Sequence, residues 1–272
     1  MNSEILNRKG ARKLEDIPKE VLDLLNEGKI ETVNLTEWLA IDHVKLIQNN
    51  FKGIGISDKV VNDISQKVAV QKKPSTMNSV KLIGALLYEH FEDHRNYESI
   101  LKKLGAHLSD TIRCYAPYLI SLNNKLSIEE KLNQSKKLVA DKHFGVREVI
   151  WMALRPEIVK DLDESIGFLS EWTNDKDENI RRFTTESTRP RGVWCKHIEA
   201  LKETPELALP ILDKLKSDHS KYVQDSVGNW LNDASKTKPE FVIEICDKWK
   251  KESPTKETEK IIKRAKRTIN KK

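Results

Sequence analysis

Residues 175–181 read DKDENIR, a short polar turn that leads into a helix. The arrangement recurs along the chain, each time with an apolar residue followed by arginine or glutamine. The four copies are 34, 34 and 43 residues apart and lie at Ile112-Arg113, Val146-Arg147, Ile180-Arg181 and Val223-Gln224. A polar residue stands five positions before each copy, at His107, Asp141, Asp175 and Asp218. This interval is typical of helix-pair repeats, so we predict that a helix begins near each copy.

The first half of each repeat is an apolar segment that ends just before the polar turn. Three such segments are 132–139, 166–172 and 209–215. Glycine and proline are few, at 10 and 9 residues, and no segment shows the alternation expected of a strand. We therefore predict an all-α protein, a HEAT-like helical-repeat solenoid (an α-α superhelix). Its second helices should lie side by side on a concave surface, and the polar residues before them should act as caps or turn residues.

The predicted organisation has three parts within one continuous solenoid. Residues 1–75 form an N-terminal helical cap, in which a helix starts at Ile17-Pro18 and another apolar face covers 35–50. Residues 76–249 form the repeat domain with the concave groove, and they follow a loop at 71–75. Residues 250–272 form a basic helical tail.

The formal net charge of +6 arises in that tail. From Lys250 onward ten Lys and Arg stand against three Glu, so the rest of the chain is close to neutral. A phosphate-binding surface in the body must then come from local clustering of basic residues. The tail itself is compatible with a solvated amphipathic helix or with a segment that follows DNA.

Several classes of protein are disfavoured by composition. No run approaches 18 apolar residues, and the first 16 residues carry charges where a signal peptide needs an apolar region, so we expect a cytoplasmic protein with no membrane partner. The three cysteines, Cys114, Cys195 and Cys246, are widely separated and the histidines are not clustered. We therefore predict neither a disulfide framework nor a metal site, and we interpret the cysteines as small core residues.

The segment with the densest set of candidate catalytic and phosphate-binding side chains is 178–194, which reads ENIRRFTTESTRPRGVW. Helical spacing places Arg182, Glu186 and Arg189 on one face, and Pro190 should end the helix. Guanidinium groups can bind phosphates in a bidentate manner, and a carboxylate held between them is favoured in its charged form. The alternative interpretation is a set of intrahelical ion pairs on a solvated face.

This segment resembles the V-R-R-x-x-S-E-G-T-R-P-R-x-P-W motif of the AlkC branch of the AlkC/AlkD DNA alkylation-repair glycosylases. Two further segments are similar to that family. Residues 222–236, YVQDSVGNWLNDASK, resemble Y-V-R-R-S-V-A-N-x-L-N-D-I-A-K, and residues 152–156, MALRP, resemble F-A-I-R-P. Together the three motifs cover about residues 130–250.

The resemblance implies a monomer that holds damaged duplex DNA and hydrolyses the N-glycosidic bond of a cationic alkylated base, with no metal or organic cofactor. Such a base is already a good leaving group, so the site must mainly stabilise oxocarbenium character at the sugar and place a water. The implied catalytic residues are Glu186, Asp233, Trp151 and Glu148. The implied DNA-binding residues are Arg181, Arg182, Arg189, Arg191, Trp194, Arg147, Asn229 and Trp230.

The chain also departs from the family pattern. Trp151 stands where the family has a carboxylate, with Glu148 nearly one turn earlier, and Gln224 and Asp225 replace two arginines. These changes favour one alternative, a solenoid that binds nucleic acid without chemistry. A second alternative is a protein-binding scaffold. For three sets of residues the sequence does not decide between a structural role and a contact with DNA. They are the tryptophans Trp151, Trp194 and Trp230, the arginines Arg113, Arg147 and Arg181, and the tail.

Overall fold

The structure, a computed structural model, describes residues 3–271. This part of the chain is built from α-helices joined by turns and short 3₁₀ segments, and it contains no β-strand. The predicted all-α class is therefore confirmed. Met1, Asn2 and Lys272, which the predicted cap and tail include, lie outside the described residues.

The chain contacts divide the protein into two compact units. The first comprises the described residues up to Lys125 together with Lys142–Ile150. Its helices are α1 (Ser3–Leu6), α2 (Lys19–Asn26), α3 (Leu35–Leu39), α4 (His43–Ile54), α5 (Asp58–Ala69), α6 (Thr76–Phe91), α7 (Tyr97–Gly105), α8 (Asp110–Arg113), α9 (Ala116–Leu122) and the start of α11 (Phe144–Lys160).

The second unit comprises Leu126–Asp141 and the described residues from Trp151 on. Its helices are α10 (Ile128–Val139), the rest of α11, α12 (Leu162–Trp172), α13 (Glu178–Glu186), α14 (Glu199–Glu203), α15 (Leu209–Leu212), α16 (Lys221–Ala234), α17 (Pro239–Glu252) and α18 (Lys256–Ala265). Its core includes Leu154, Leu169, Leu212, Trp230 and Trp249, all fully buried. The predicted domain limits at residues 75 and 249 stay a prediction.

The recurring helix starts are confirmed. The helices α8, α11, α13 and α16 begin at Asp110, Phe144, Glu178 and Lys221, each two residues before the apolar residue of its copy. Within the second unit α13 packs against α16, and α16 packs against α18. The helices α13 and α16 therefore lie side by side in that unit, as the repeat spacing predicts, and α18 lies next to α16.

The polar turns have one geometry in three of the four copies. The side chains of His107, Asp175 and Asp218 each accept a hydrogen bond from the backbone N–H two residues later, at 3.0, 3.0 and 2.8 Å. This bond fixes the turn before the helix, as expected of Asx-type turns. The prediction of a turn role for these residues is confirmed.

Three predicted helices differ from the sequence pattern. The apolar helix predicted over 35–50 is divided into α3 and α4. The division follows from Asp42, which caps α4 by accepting hydrogen bonds from the N–H groups of Val44 and Lys45. The segment 209–215 is a short α15 followed by a 3₁₀ turn, and Pro210 lies in its first turn. The helix α13 ends at Glu186 rather than at Arg189. Hydroxyl groups of Ser187 and Thr188 hydrogen-bond back to carbonyls four residues earlier at this end.

The basic tail contains a docked helix. α18 packs against both α16 and α17, with Ile261 and Ala265 fully buried. It thus forms with α17 a further helix pair of the same kind as α12 and α13. In the described residues no helix is long and apolar enough to cross a bilayer.

Candidate active site

Two buried carboxylates of the second unit share one arginine. Arg189 donates from Nε and Nη2 to Oδ2 of Asp233, at 2.9 and 2.7 Å. Its Nη1 donates to Oε2 of Glu186 at 3.3 Å. The side chains of Glu186 and Asp233 are only 5% and 6% exposed. The structure therefore joins the two predicted carboxylates, from α13 and α16, into one cluster.

Each carboxylate has further partners. Ser226 of α16 donates to Oε1 of Glu186 at 2.8 Å, and Arg182 lies 3.5 Å from the same oxygen. On the other side, Lys236 donates to Oδ1 of Asp233 at 2.9 Å. Three basic groups thus surround two acidic ones, which compensates the desolvation that burial imposes on both carboxylates.

Burial and the two neighbouring carboxylates have opposite effects on the pKa of Arg189. Burial alone lowers its pKa, but the charges of Glu186 and Asp233 outweigh burial and raise the pKa above its ordinary value. Arg189 is therefore a fixed positive charge between the carboxylates. Three of its five N–H donors bind carboxylates, which suits a residue that positions the pair, and its role as a phosphate contact stays a prediction.

The cation of Arg182 is placed differently. Its guanidinium carbon lies 4.3 Å from the ring centroid of Tyr222, in cation–π contact, and its side chain is 14% exposed. The predicted face of Arg182, Glu186 and Arg189 is therefore observed. The alternative of solvated ion pairs is wrong, because the carboxylate at its centre is buried.

The segment after α13 is held by Arg155, which the sequence analysis did not select. Its guanidinium donates to the backbone carbonyls of Ser187, Arg189 and Lys196, and the residue is 3% exposed. Burial lowers the pKa of this arginine. The signal was available in the sequence, since Arg155 is the arginine of the MALRP motif. It fixes the backbone that presents Arg189.

The three tryptophans left open fall into two groups. Trp230 is fully buried in α16 and donates from Nε1 to the carbonyl of Thr188 at 3.0 Å. Trp151 is 3% exposed in α11. Trp194 is 67% exposed. The predicted DNA contact of Trp230 is therefore corrected to a core role, because no part of its ring is open to a ligand.

Trp194 also has an unusual backbone. Its φ of 61° makes it the one non-glycine residue with positive φ among residues 3–271. A side chain in this region costs about 1–2 kcal/mol. The exposed ring and the strained backbone together mark the 190–197 segment as a candidate contact with a ligand.

Arg181 was predicted to contact DNA and has a structural role instead. It is 4% exposed, and its Nε and Nη2 donate to the two carboxylate oxygens of Asp218 at 2.6 and 3.0 Å. Its Nη1 donates to the carbonyls of Asp175 and Lys176. Arg113 binds the carbonyls of His107 and Leu108 in the same way within the first unit. Arg113 and Arg181 therefore each clamp the turn before their own helix.

This clamp gives a prediction that separates Arg181 from its neighbour. Arg181→Met should lower the free energy of unfolding by about 3 kcal/mol, because it leaves Asp218 buried without its partner. It should not change the dependence of DNA affinity on salt. Arg182→Met is the matched control and should lower the salt slope by about one unit, as loss of a phosphate contact does. Chemical unfolding and binding titrations at several salt concentrations measure both. A lower slope for Arg181→Met would contradict the clamp.

The two departures from the family motif also have structural explanations. Gln224 donates to the carbonyl of Asp218 at 2.7 Å, which repeats the clamp with a neutral side chain. Asp225 forms an ion pair with Arg264 of α18 at 2.5 Å. Both residues therefore serve the packing of α16.

Four further predicted residues are Arg147, Glu148, Asn229 and Arg191. Arg147 and Glu148 are half-buried and belong to the first unit. Asn229 accepts from Arg264 at 3.5 Å. Arg191 follows Pro190, and its Nε is buried without a hydrogen-bond partner among the described residues. Their catalytic and DNA-binding roles stay predictions.

Within residues 3–271 no group of three or more His, Cys, Asp or Glu is arranged to hold a metal ion. Cys114 and Cys246 are buried, as predicted for core residues, and burial raises the pKa of Cys246 to about 11. Cys195 is half-buried, and burial raises the pKa of its thiol as well.

Fold and site together define a helical-repeat protein with a buried acidic pair that one arginine bridges. Residues 149–267, which contain the whole cluster, match the family model for DNA alkylation repair enzymes. Over this region the chain is similar to the DNA alkylation repair enzyme family, which confirms the resemblance drawn from the three motifs.

Among the proteins similar to the chain are one curated relative and two solved structures. The uncharacterized protein YhaZ of Bacillus subtilis (strain 168) is 45% identical over 120 residues, which are 44% of this chain and 33% of that protein. The structure of Pseudomonas fluorescens alkylpurine DNA glycosylase AlkC, bound to DNA with an abasic site analog, matches with a TM-score of 0.69 and 20% identity. That match covers 96% of this chain and 66% of AlkC.

AlkD2 from Streptococcus mutans matches with a TM-score of 0.58 and 24% identity, over 77% of this chain and 96% of AlkD2. At these identities the two structures show the fold, and they confirm the predicted helical-repeat class. The AlkC match is consistent with the predicted branch.

Proposed function

We propose that the chain is a DNA glycosylase that hydrolyses the N-glycosidic bond of cationic, N-alkylated bases in duplex DNA. The observation that carries this proposal is the pair of buried carboxylates, Glu186 and Asp233, joined by Arg189 inside the family region. A carboxylate repels phosphate, so a surface that only binds DNA gains nothing from two of them. A site that stabilises positive charge on a sugar gains from both.

The proposed chemistry needs only these side chains and water. The bond between C1′ and the base nitrogen breaks, and its electron pair leaves with the alkylated base, which becomes neutral. A water oxygen forms the new bond to C1′, and its proton passes to Glu186 or Asp233. The carboxylates oppose the positive charge that develops on the sugar in between. We propose that no metal or organic cofactor takes part.

Arg155 and Arg189 are positioning residues in this proposal. Arg155 fixes three carbonyls of the 187–196 segment, and Arg189 holds both carboxylates at one place. Arg182 lies next to Glu186 with its side chain 14% exposed, and we assign it to a phosphate of the strand. We assign the exposed ring of Trp194 to the DNA as well. A monomer acting in the cytoplasm completes the proposal.

A second candidate function is a protein that binds nucleic acid without chemistry. The observation that favours it is the occupation of both carboxylates by Arg189, which leaves fewer oxygens free for a substrate. In that case the cluster would serve only to join α13 to α16.

The experiment that separates the two is the release of bases from globally methylated duplex DNA. We expect N-methylated bases to appear in the supernatant with the wild-type protein, detected by chromatography. Retention on the same DNA without any released base would overturn the glycosylase proposal and leave the binding protein. Absence of both release and DNA binding would favour the scaffold.

A further inference from the structure

The cations of the C-terminal helix fall into two sets. One set fastens α18 to the rest of the second unit. Arg264 forms an ion pair with Asp225 of α16. Its side chain also packs against Gly228, where an added Cβ would lie 2.8 Å from the Cβ of Arg264. Lys266 pairs with Asp247 of α17 at 2.8 Å. These contacts, with the buried Ile261, determine which face of α18 points inward.

The second set points away from this packing. Lys256, Lys260 and Lys263 follow at i, i+4 and i+7, which places them on one face of the helix. Arg267 and Lys271 continue just beyond its end, and all five residues are exposed. None of the five forms an ion pair with any residue that the structure describes. We call Lys256, Lys260 and Lys263 the basic stripe.

The position of the stripe connects it to the candidate active site. α18 lies beside α16, which carries Asp233. Asn232, the preceding residue, donates to the hydroxyl of Thr268 at 3.0 Å, just after α18. The neighbouring helix on the other side of α16 is α13, which carries Glu186. Stripe and carboxylates thus belong to consecutive helices of one unit.

The length of the stripe fits a nucleic-acid backbone. Seven residues of helix separate Lys256 from Lys263, or about 10 Å, over which one strand of duplex DNA presents about three phosphates. An anionic membrane is the other surface that attracts basic amphipathic helices, but those helices insert an apolar face. The apolar face of α18 is buried against α16 and α17, so nothing remains to insert.

We propose that the basic stripe is a phosphate-binding surface for the duplex that flanks the lesion. This inference rests on the proposed glycosylase function. It adds to the proposed active site a second surface that contacts the duplex beside the lesion. Through the stripe the protein gains affinity for long duplexes with no effect on the chemical step. The predicted alternative of a solvated tail is thereby replaced by a helix with a fixed inward face and a DNA-facing outer face.

The test compares two triple variants with the same change in net charge. The stripe variant is Lys256→Gln, Lys260→Gln and Lys263→Gln. The control is Lys137→Gln, Lys160→Gln and Lys250→Gln, three exposed lysines of the same unit outside α18. Fluorescence anisotropy of a labelled undamaged duplex gives affinity as a function of salt. We expect the stripe variant to lower the salt slope by about 2 to 3 units, and the control to change it by less than about one.

Equal slopes for the stripe variant and the control would overturn the proposal. So would a wild-type protein that does not bind the duplex, or one that binds phosphatidylglycerol vesicles more tightly than the duplex through the stripe. Base release by the wild type is measured in parallel on methylated DNA. If the wild type releases bases but the stripe variant has the wild-type salt slope, only the proposal for the stripe is rejected. If the stripe variant has a lower salt slope but the wild type releases no base, the glycosylase proposal is rejected and the DNA-binding role of the stripe is kept. Circular dichroism confirms that both variants are folded.

Discussion

Glu186→Gln is expected to lower the rate of base release by a factor of about 10² to 10³, the usual effect of removing one preorganised electrostatic contact. The amide keeps the size of the side chain and can still accept from Ser226. It removes the negative charge that opposes the developing cation, so the loss falls on the chemical step. DNA affinity should stay unchanged or rise slightly, because one carboxylate fewer faces the phosphates.

The measurement is a single-turnover rate on methylated duplex DNA, together with an anisotropy titration of the same duplex. Asp233→Asn should behave in the same way. Glu240→Gln, at an exposed position of α17, is the matched control and should release bases at the wild-type rate. A Glu186→Gln variant as fast as this control would show that the carboxylate takes no part in the reaction.

The second large effect concerns stability. Trp230→Ala should lower the free energy of unfolding by about 3–5 kcal/mol, the range for removal of a large aromatic side chain from a core. Trp230 is fully buried, and its Nε1–H donates to the carbonyl of Thr188. The substitution therefore creates a cavity and also leaves that carbonyl without its donor. Urea unfolding followed by circular dichroism measures the change.

Trp194→Ala provides the control, since this side chain is 67% exposed. Its effect on stability should stay within about 0.5 kcal/mol, as for most surface substitutions. The two tryptophans lie in neighbouring motifs, and the sequence did not distinguish a core role from a surface role for either of them. If Trp194→Ala destabilised the protein as much as Trp230→Ala, the assignment of one to the core and the other to the surface would be wrong.

The helix starts could be predicted because they repeat. The spacing of Ile112, Val146, Ile180 and Val223 reflects a stacking period, and any residue that opens a repeat must return at that period. The limits of individual helices were less predictable. The break between α3 and α4 depends on the cap at Asp42, and the early end of α13 depends on hydroxyl groups that bond back to the helix.

The candidate site was predictable in part. Helical spacing alone joins Arg182, Glu186 and Arg189, since these residues are close in sequence, within α13 or just after its end. The bond from Arg189 to Asp233 joins positions 44 residues apart, and only packing of α13 on α16 brings them together. The motif resemblance named both carboxylates, but nothing in the spacing showed that one guanidinium would bridge them.

The different surroundings of two adjacent arginines could be predicted only in part. Arg181 and Arg182 are adjacent, yet one is enclosed by Asp218 and two carbonyls and the other lies over Tyr222. A helix turns by about 100° per residue, so neighbours face different surroundings. The repeated position of Arg113 and Arg181 was the available signal for a structural role.

The central claim is that Glu186 and Asp233 form one site of base release. The most direct measurement is the amount of N-methylated base that the wild-type protein and the Glu186→Gln, Asp233→Asn double variant release from methylated duplex DNA. We predict release by the wild type and a loss in the double variant close to that of the more damaging single variant, because residues that act as a unit are not additive. Equal release by the double variant and the wild type, or no release by either, would contradict the claim.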